Sequence, residues 1–325
     1  MNILLINHYA GSPKYGMEFR PYYLAKQWVK WGHKVTIVGG TYSHLRGKQP
    51  TVVGDITEET INGVDYIWLK TNKYEGNGVG RIKSMMTFVH KLTKYKKYFV
   101  DKYKPDIVIA SSTYPLDIYP AHKIAKAAGG KLVFELHDLW PLSPMELNGY
   151  SKNHPFIVIM QRGEDYACKH SDAIVSLLPR ADMHLVERGM AKEKFHWVSN
   201  GIVKEDWDKT EPIPELMEME LNKYKEEGQF LIGYAGNHGD ANSLDSFIDV
   251  VAGLKDKKIM GILVGTGAKK DYFVKKVASE GITNVKFFDP IGKPQIPDFL
   301  SHLDCLYNGV KNISLFRFGT SFNKI

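Results

Sequence analysis

The chain has 325 residues, of which 43% are hydrophobic and 24% charged. This composition is that of a globular protein, with length for about two domains of roughly 150 residues each. No apolar run approaches the ~18 residues of a membrane span, and the first residues lack the basic segment of a signal peptide. We therefore expect a cytoplasmic protein, and the widely separated Cys168 and Cys305 are typical of that reducing compartment.

The net charge of +7 is unevenly distributed, because residues 1–209 carry +8 and the rest carry −1. Residues 81–104 hold eight Lys or Arg against Asp101 alone. Apolar residues recur there at helical spacing, which predicts one basic amphipathic helix over Arg81–Tyr103. It either only packs on a sheet or also lies on anionic lipid headgroups at the cytoplasmic membrane face. Nucleic acid is disfavoured as a partner, because no compact recognition motif accompanies the charge.

The sequence begins twice with an apolar run, a polar loop and a helical pattern, at residue 1 and again near Phe230. Short apolar runs separated by helices indicate doubly wound parallel sheets. We therefore predict two tandem Rossmann-like α/β domains, at residues 1–203 and 229–325, with a linker at 204–228. The first domain's predicted strands are Ile3–Asn7, Lys34–Val38, Val64–Leu69, Asp106–Ala110, Leu132–Glu135, Ala173–Ser176 and Phe195–Val198. Its predicted helices are Met17–Trp31, Arg81–Tyr103, Ile118–Ala128 and Pro179–Arg188.

The second domain shows fewer elements than a doubly wound domain normally has. Its predicted strands are Phe230–Ala235, Ile259–Val264, Val285–Phe288 and Cys305–Asn308, with helices Ser243–Leu254, Ala268–Glu280 and Pro297–Leu303. The sequence given stops before further strand–helix units, so we expect this domain to be incomplete and the chain to be truncated.

Two loops of the first domain carry candidate ligand residues. His137 and Asp138 follow a predicted strand, and open parallel sheets bind ligands beyond the carboxyl ends of their strands. An imidazole there either donates to a sugar hydroxyl or a developing charge, or is simply buried against the backbone. Gly16 and Glu18 precede a helix, whose N-terminus favours an anionic or polar ligand, although the loop is also compatible with no such role.

In the second domain, two strand ends suggest a nucleotide site. The loop Gly236–Gly239 offers backbone N–H groups to a diphosphate. The Gly265–Gly267 turn suits a nucleoside, or is merely a tight turn. Lys293, Arg317 and Lys324 either neutralise phosphate or are surface charges. Neither domain start shows G-x-G-x-x-G spacing, so NAD chemistry is a poor fit.

Five segments in order resemble family 4 glycosyltransferases of the GT-B fold, over nearly the whole chain. They are GMEFRPYYLAKQWVKWGHKVTIV (16–38), LVFELHDLWP (132–141), the segment 173–202 ending in Asn200-Gly201, ILVGTG (262–267) and residues 284–304. The likeness is greatest to enzymes of bacterial capsule and O-antigen assembly, including aminodeoxyhexose transferases.

This resemblance implies a retaining hexosyltransferase that moves sugar from a nucleotide-sugar, expected to be a UDP-sugar, to a saccharide or lipid-linked acceptor. It implies no tightly bound cofactor and no metal site, and Asp206-Trp-Asp208 lies in a charged linker rather than at a strand end. It places His137 as the catalytic residue beside the transferred sugar, and Glu18 and Asp138 on the acceptor side. The implied donor-binding residues are Gly16, Asn237, His238, Gly239, Gly265, Gly267, Lys293, Arg317, Ser321 and Lys324.

The chain departs from the family pattern at two places. Many members carry an Arg and a Lys after the second domain's first strand, where this chain has Asn237-His-Gly-Asp-Ala-Asn. The donor-sugar motif is expected to break off after Ile325, before its second acidic residue, which leaves open whether the chain as given is catalytically active. Two alternatives therefore stay open: a nucleotide-sugar 2-epimerase, and a non-catalytic sugar- or membrane-binding protein.

Overall fold

The structure is a computed structural model that describes residues 1–76, 78–239 and 242–321. Lys324, predicted to bind the donor, lies outside the described residues. The described chain forms two compact units, Met1–Asn200 with Arg317–Ser321, and Gly201–Phe316. No helix in these ranges is both long and apolar enough to cross a lipid bilayer.

The first unit alternates strands and helices as expected of a doubly wound domain. Its strands are β1 (Asn2–Ile6), β2 (Lys34–Gly40), β3 (Ile56–Ile61), β4 (Val64–Leu69), β5 (Ile107–Ala110), β6 (Lys131–Leu136), β7 (Ala173–Ser176) and β8 (Phe195–Trp197). Its helices are α1 (Arg20–Lys30), α2 (Val79–Lys94), α3 (Lys96–Tyr103), α4 (Ile118–Ala128), α5 (Leu142–Asn148), α6 (Pro155–His170) and α7 (Ala181–Glu187).

The first sheet has the strand order β3-β4-β2-β1-β5-β6-β7-β8, and its neighbours pair in parallel except for β3 and β4. The fold class predicted from the sequence is confirmed, but β3 was not predicted. It forms an antiparallel hairpin with β4 through Asn62-Gly63, both at positive φ (49° and 82°). Such a pair favours the tight turn whose twist matches two antiparallel strands.

The central strand positions the candidate site. Leu4, Leu5 and Ile6 of β1 are fully buried, so helices cover both faces of the sheet at this strand. The chain leaves β1 at Asn7-His8, in the middle of the edge where the parallel strands end. Ligands of such sheets bind at this edge.

The prediction of a single basic helix over Arg81–Tyr103 is wrong, because the helix breaks at Tyr95. The hydroxyl of Tyr95 donates to Asp55 Oδ2 at 2.7 Å, and Lys91 and Lys94 pair with the same carboxylate. These contacts tie the end of α2 to the chain just before β3.

The second unit contains a smaller parallel sheet of order β11-β10-β9-β12. Its strands are β9 (Phe230–Ala235), β10 (Ile259–Val264), β11 (Val285–Phe288) and β12 (Cys305–Leu306). Its helices are α8 (Lys204–Trp207), α9 (Glu215–Glu226), α10 (Leu244–Gly253), α11 (Lys270–Ser279) and α12 (Ile296–Ser301).

The region predicted as a linker contains part of the second unit's core. Met217 and Leu221 of α9 are buried in one cluster with Leu231 of β9 and Phe299 of α12. Asp298 accepts a hydrogen bond from the backbone of Ile213 at 2.8 Å. Helix α9 therefore belongs to the second unit, which begins at Gly201. The functional limits of the two domains, at residues 203 and 229, stay a prediction.

Candidate functional site

His137 lies immediately after β6, on the edge of the first sheet where the parallel strands end. Its imidazole is 10% exposed, and Nε2 lies 2.9 Å from Ser111 Oγ and 3.3 Å from Glu135 Oε2. Ser111 follows the neighbouring strand β5 and donates its hydroxyl to Glu135 Oε2 at 2.6 Å. Three side chains from adjacent strand ends therefore form one buried network.

The network also indicates which nitrogen of His137 is used within the protein. Because the Ser111 hydroxyl donates to Glu135, its oxygen remains to accept from His137, and Nε2 then carries hydrogen. Within the described chain, the hydrogen bonds of this ring all involve Nε2. Nδ1 is the nitrogen left for a ligand.

The charges of the network are mutually stabilising. Burial lowers the pKa of His137, but the hydrogen bond and charge of Glu135 outweigh it, so this pKa lies above its ordinary value. Burial alone would raise the pKa of Glu135, yet His137, Arg20 and Ser111 lower it to about 2. The pair therefore favours a protonated imidazole beside an ionised carboxylate, which makes Nδ1 a hydrogen-bond donor.

Arg20 at the start of α1 completes the network from the other side. Its Nε donates to Glu135 Oε1 at 3.0 Å, and both side chains are almost fully buried (6% and 4% exposed). The terminal nitrogens of Arg20 donate to the carbonyls of Val198 and Ser199 at 2.9 and 3.0 Å, and to Asn200 Oδ1 at 3.2 Å. The guanidinium of Arg20 thus joins Glu135 to residues 198–200, at the end of the Met1–Asn200 part of the first unit.

Sequence reasoning missed Arg20, Ser111 and Glu135. Arg20 and Glu135 lie inside two of the five segments that carry the family resemblance, at GMEFR (16–20) and LVFELHD (132–138), so each could have been noticed in the sequence. Their pairing was not, because 115 residues separate them. Only the register of the sheet brings these side chains together.

The other first-unit candidates lie around the same edge. Gly16 has φ of +101°, which only glycine adopts easily, and it bridges to Ser12 and Arg46 through the backbone. Glu18 is half-buried and lies within electrostatic range of His137. Asp138 is exposed next to His137. Whether these residues contact donor or acceptor remains a prediction.

In the second unit, the two predicted nucleotide loops lie in contact. Gly265 has φ of +140°, and a Cβ there would lie 2.0 Å from the carbonyl oxygen of Gly236. A Cβ at Gly267 would lie 2.4 Å from Asn237 Oδ1 and 2.5 Å from the carbonyl oxygen of His238. Both glycines are therefore required by close approach of the backbone, and the loops after β9 and β10 form one structure.

Part of the predicted N–H cradle is already used inside this structure. The amides of Gly236 and His238 donate to the carbonyls of Val264 and Thr266, both at 2.9 Å. These two hydrogen bonds hold the loops together. The backbone amides of Asn237 and Gly239 therefore remain the ones predicted to bind a diphosphate. The His238 side chain is fully buried beneath them.

Two lysines of the second unit lie near the end of β11. Lys293 is exposed in a 3-10 turn (Lys293–Gln295) after β11. Lys270, which sequence reasoning missed, lies at the start of α11 and binds Asp289 at 2.9 Å, beside the end of β11. Both belong to the second unit.

The assignment of Arg317 and Ser321 to the second domain is corrected by their contacts. Arg317 pairs with Glu146 of α5 at 3.3 Å, and Ser321 Oγ accepts from the amide of Asn200 at 2.8 Å. Between them, Phe318 is buried and its carbonyl accepts from Arg180. Burial of this aromatic ring holds residues 317–321 on the first unit. Their role in donor binding stays a prediction.

Within the described ranges, no group of three or more His, Cys, Asp or Glu side chains is arranged to hold a metal ion. The Asp206-Trp-Asp208 motif falls at the end of the short helix α8.

Two Rossmann-like units, the second with the smaller sheet, define the class of protein: this is the GT-B fold of glycosyltransferases. The sequence model of Glycosyltransferase Family 4 matches residues 15–206, more than half of the chain. The chain belongs to this family. The match contains Gly16, Arg20, Ser111, Glu135 and His137.

Relatives and solved structures agree with this classification. WcaI of Escherichia coli (strain K12), whose name places it among glycosyl transferases of colanic acid biosynthesis, is 22% identical over 212 residues, or 63% of this chain. The aligned part spans half of WcaI. Anabaena HepE in complex with UDP and glucose has a TM-score of 0.56 at 15% identity, covering 94% of this chain and 73% of HepE. Sucrose-phosphate synthase from Thermosynechococcus elongatus has a TM-score of 0.63 at 13% identity, covering 98% and 79%.

Proposed function

We propose that this protein is a retaining glycosyltransferase that moves a sugar from a UDP-sugar to a saccharide acceptor in polysaccharide assembly. The observation that carries the proposal is the Glu135–Ser111–His137 network, which aims an imidazole N–H from the strand-end edge of a family 4 unit. In this role, Nδ1 of His137 donates to a hydroxyl of the transferred sugar and stabilises charge that develops as the glycosidic bond to UDP breaks.

The donor side of the proposal is supported by the paired loops of the second unit. Residues 236–239 and 265–267 meet at the ends of β9 and β10, where an open parallel sheet binds its ligand. HepE, which shares the fold, was solved with UDP and glucose. On the acceptor side, the similarity to WcaI supports polysaccharide synthesis.

The test is UDP binding by the full chain, measured by calorimetry, with UDP release from UDP-glucose, UDP-galactose and UDP-N-acetylglucosamine as the activity readout. We expect Gly267→Ala to weaken UDP binding by about tenfold or more, because the new Cβ displaces the 236–239 loop. Gly253→Ala is the matched control, since a Cβ there meets nothing within 4 Å. Thermal unfolding of both variants reports whether the second unit stays folded.

Two results would contradict the proposal: no binding of UDP or any of the three donors, or equal UDP affinity in the wild type and Gly267→Ala. The anomeric configuration of the product, read by NMR, tests retention. Conversion of UDP-N-acetylglucosamine alone into its 2-epimer would identify an epimerase instead.

We further propose that the acceptor is lipid-linked and that α2 and α3 lie against anionic lipid. Lys91 and Lys94 pair with Asp55 and Lys102 pairs with Glu58, whereas Lys96 and Lys97, the first two residues of α3, are exposed positive charges. We expect Lys96→Glu/Lys97→Glu to reduce sedimentation with phosphatidylglycerol vesicles at low salt, since each lysine contributes about 1 kcal/mol. Lys225→Glu on α9 is the control, and unchanged sedimentation of the double variant would reject the membrane contact.

A further inference from the structure

Asn200 lies where the two segments of the first unit meet. It is the last residue of Met1–Asn200, and the chain returns to this unit with Arg317–Ser321, which we call the return segment. The backbone amide of Asn200 donates to Ser321 Oγ at 2.8 Å, and its side-chain Nδ2 donates to the carbonyl of Ser321 at 3.2 Å. Asn200 therefore binds the return segment through both its backbone and its side chain.

The return segment is held on the first unit by packing as well as by hydrogen bonds. The buried ring of Phe318 lies 5.9 Å from the imidazole of His184, and its carbonyl accepts from the amide of Arg180 at 2.9 Å. Gly319 has φ of +88°, and a Cβ there would lie 2.5 Å from Pro179 Cγ. The segment thus has one fitted position, fixed by a buried aromatic ring and by close approach of the backbone.

From Asn200 the hydrogen bonds continue to His137. Asn200 Oδ1 accepts from Arg20 Nη1 at 3.2 Å, and Arg20 Nε donates to Glu135 Oε1 at 3.0 Å. The other oxygen of Glu135 lies 3.3 Å from His137 Nε2. An asparagine suits this position, because its side chain carries an acceptor for the guanidinium and donors for the carbonyl of Ser321. One unbroken series of contacts therefore runs from the return segment to the imidazole.

The position of Arg20 affects the charge of His137. Burial lowers the pKa of His137, Glu135 raises it through its hydrogen bond and charge, and the Arg20 charge lowers it. Glu135 is also held by Ser111 at 2.6 Å, so the carboxylate stays beside the imidazole when the guanidinium moves. The guanidinium therefore sets how much of the Glu135 charge acts on His137. Other titratable groups near the imidazole are Glu18, Asp117 and Asp138.

We propose that Asn200 is a positioning residue of the transfer reaction: it couples the docked return segment, through Arg20, to the imidazole of His137. This inference rests on the proposed function. Three oxygens of residues 198–200 hold the guanidinium, and Asn200 ties this stretch of chain to the return segment. Release of the segment loosens the guanidinium beside Glu135, which changes the orientation and the charge of the imidazole.

The test measures the pKa of His137 by NMR in the full chain, with carbon-13 at the histidine Cε1 position and His137→Ala to assign the signal. We expect Asn200→Ala to raise this pKa by about 0.3 or more, because the opposing guanidinium charge is held less firmly. Ser321→Ala and Phe318→Ala should raise it too, since both loosen the return segment. Asn153→Ala, at an exposed position between α5 and α6, is the matched control and should leave the pKa unchanged.

The double variant Asn200→Ala/Phe318→Ala distinguishes coupling from two separate effects. If the return segment acts through Asn200, the pKa of His137 in the double variant equals that in Asn200→Ala, and additive shifts would overturn the coupling. A pKa in Asn200→Ala at or below the wild-type value would overturn it as well. Thermal unfolding identifies a variant that does not fold, and if Asn200→Ala fails, the direction of the shift in Ser321→Ala and Phe318→Ala decides the question.

UDP release from the active UDP-sugar shows whether the coupling serves transfer. We expect Asn200→Ala to lower kcat by about three- to tenfold with UDP affinity unchanged, because the imidazole is less well oriented. Since its pKa is raised, activity that needs the imidazolium should persist to higher pH than in the wild type. An unchanged pH profile would overturn the role in transfer. Failure of the wild type to bind UDP would instead contradict the proposed function, and the titration would still decide whether Asn200 acts on His137.

Discussion

Replacing Arg20 with methionine is expected to lower the free energy of unfolding by about 3–5 kcal/mol at neutral pH, because it strands a buried carboxylate. Glu135 is 4% exposed, and its other partners are Ser111 and His137. The variant also loses the hydrogen bonds from Arg20 to Val198, Ser199 and Asn200. Urea unfolding measures the change.

The pH dependence of this effect has a definite sign. In the native protein Glu135 has a pKa of about 2, below its ordinary value near 4.5, so its ion pair stabilises above that ordinary value and is lost as pH falls toward 2. In Arg20→Met the carboxyl protonates at higher pH, which relieves the stranded charge. The destabilisation at pH 4 should therefore be smaller than at pH 7.

Arg188→Met is the matched control, because it breaks an ion pair that is exposed to solvent. Arg188 pairs with Asp165, and the two side chains are 34% and 41% exposed. We expect its cost to stay below about 1 kcal/mol. Adding Glu135→Gln to Arg20→Met should recover part of the lost stability, since the stranded charge is removed. A cost for Arg20→Met no larger than for Arg188→Met would show that the buried pair is not the main support of this edge.

Replacing His137 with alanine is expected to reduce the rate of sugar transfer by about 10²–10³-fold, the cost of losing one donor aimed at developing charge. The fall should appear in kcat for the active UDP-sugar, while affinity for UDP changes little because the proposed nucleotide loops lie in the second unit. His90→Ala, at an exposed position of α2, is the control. Transfer by His137→Ala at the wild-type rate would remove this residue from the mechanism.

Glu135→Gln separates an electrostatic role from a merely structural one. The glutamine preserves shape but withdraws the negative charge that raises the pKa of His137, so that pKa falls. If transfer requires the imidazolium, activity falls as the pH is raised through the pKa of His137. In Glu135→Gln this fall should therefore begin at a lower pH than in the wild type. An unshifted pH profile would show that the charge of Glu135 does not act on transfer through His137.

Several elements could be predicted because their signal is local. Strand β4, helix α4 and strands β9 to β11 match the sequence prediction, since each is an apolar run or stripe bounded by glycine or polar residues. Helix α6 was missed although Pro155 opens it and His154 accepts from the amide of Phe156. Strand β3 was missed because ITEETI is polar for a strand, yet Asn62-Gly63 was a usable turn signal.

Residues 317–321 show the opposite case. Their position along the chain suggests the second domain, whereas Phe318 is buried on the first unit and Ser321 binds Asn200. Burial of one aromatic ring and a backbone hydrogen bond outweigh proximity in sequence. No local pattern in residues 317–321 (RFGTS) predicts such a contact.

The sequence by itself determined the two α/β units, the strand that presents His137 and the two glycine turns of the second unit, because these follow from periodicity and from backbone angles that glycine favours. The tertiary structure alone decided that Glu135, Ser111 and Arg20 share one buried network and that Asn200 joins it to residues 317–321. The reason is physical: a charge acquires its partner and its degree of burial from the register of strands distant in sequence, and no local pattern encodes that register.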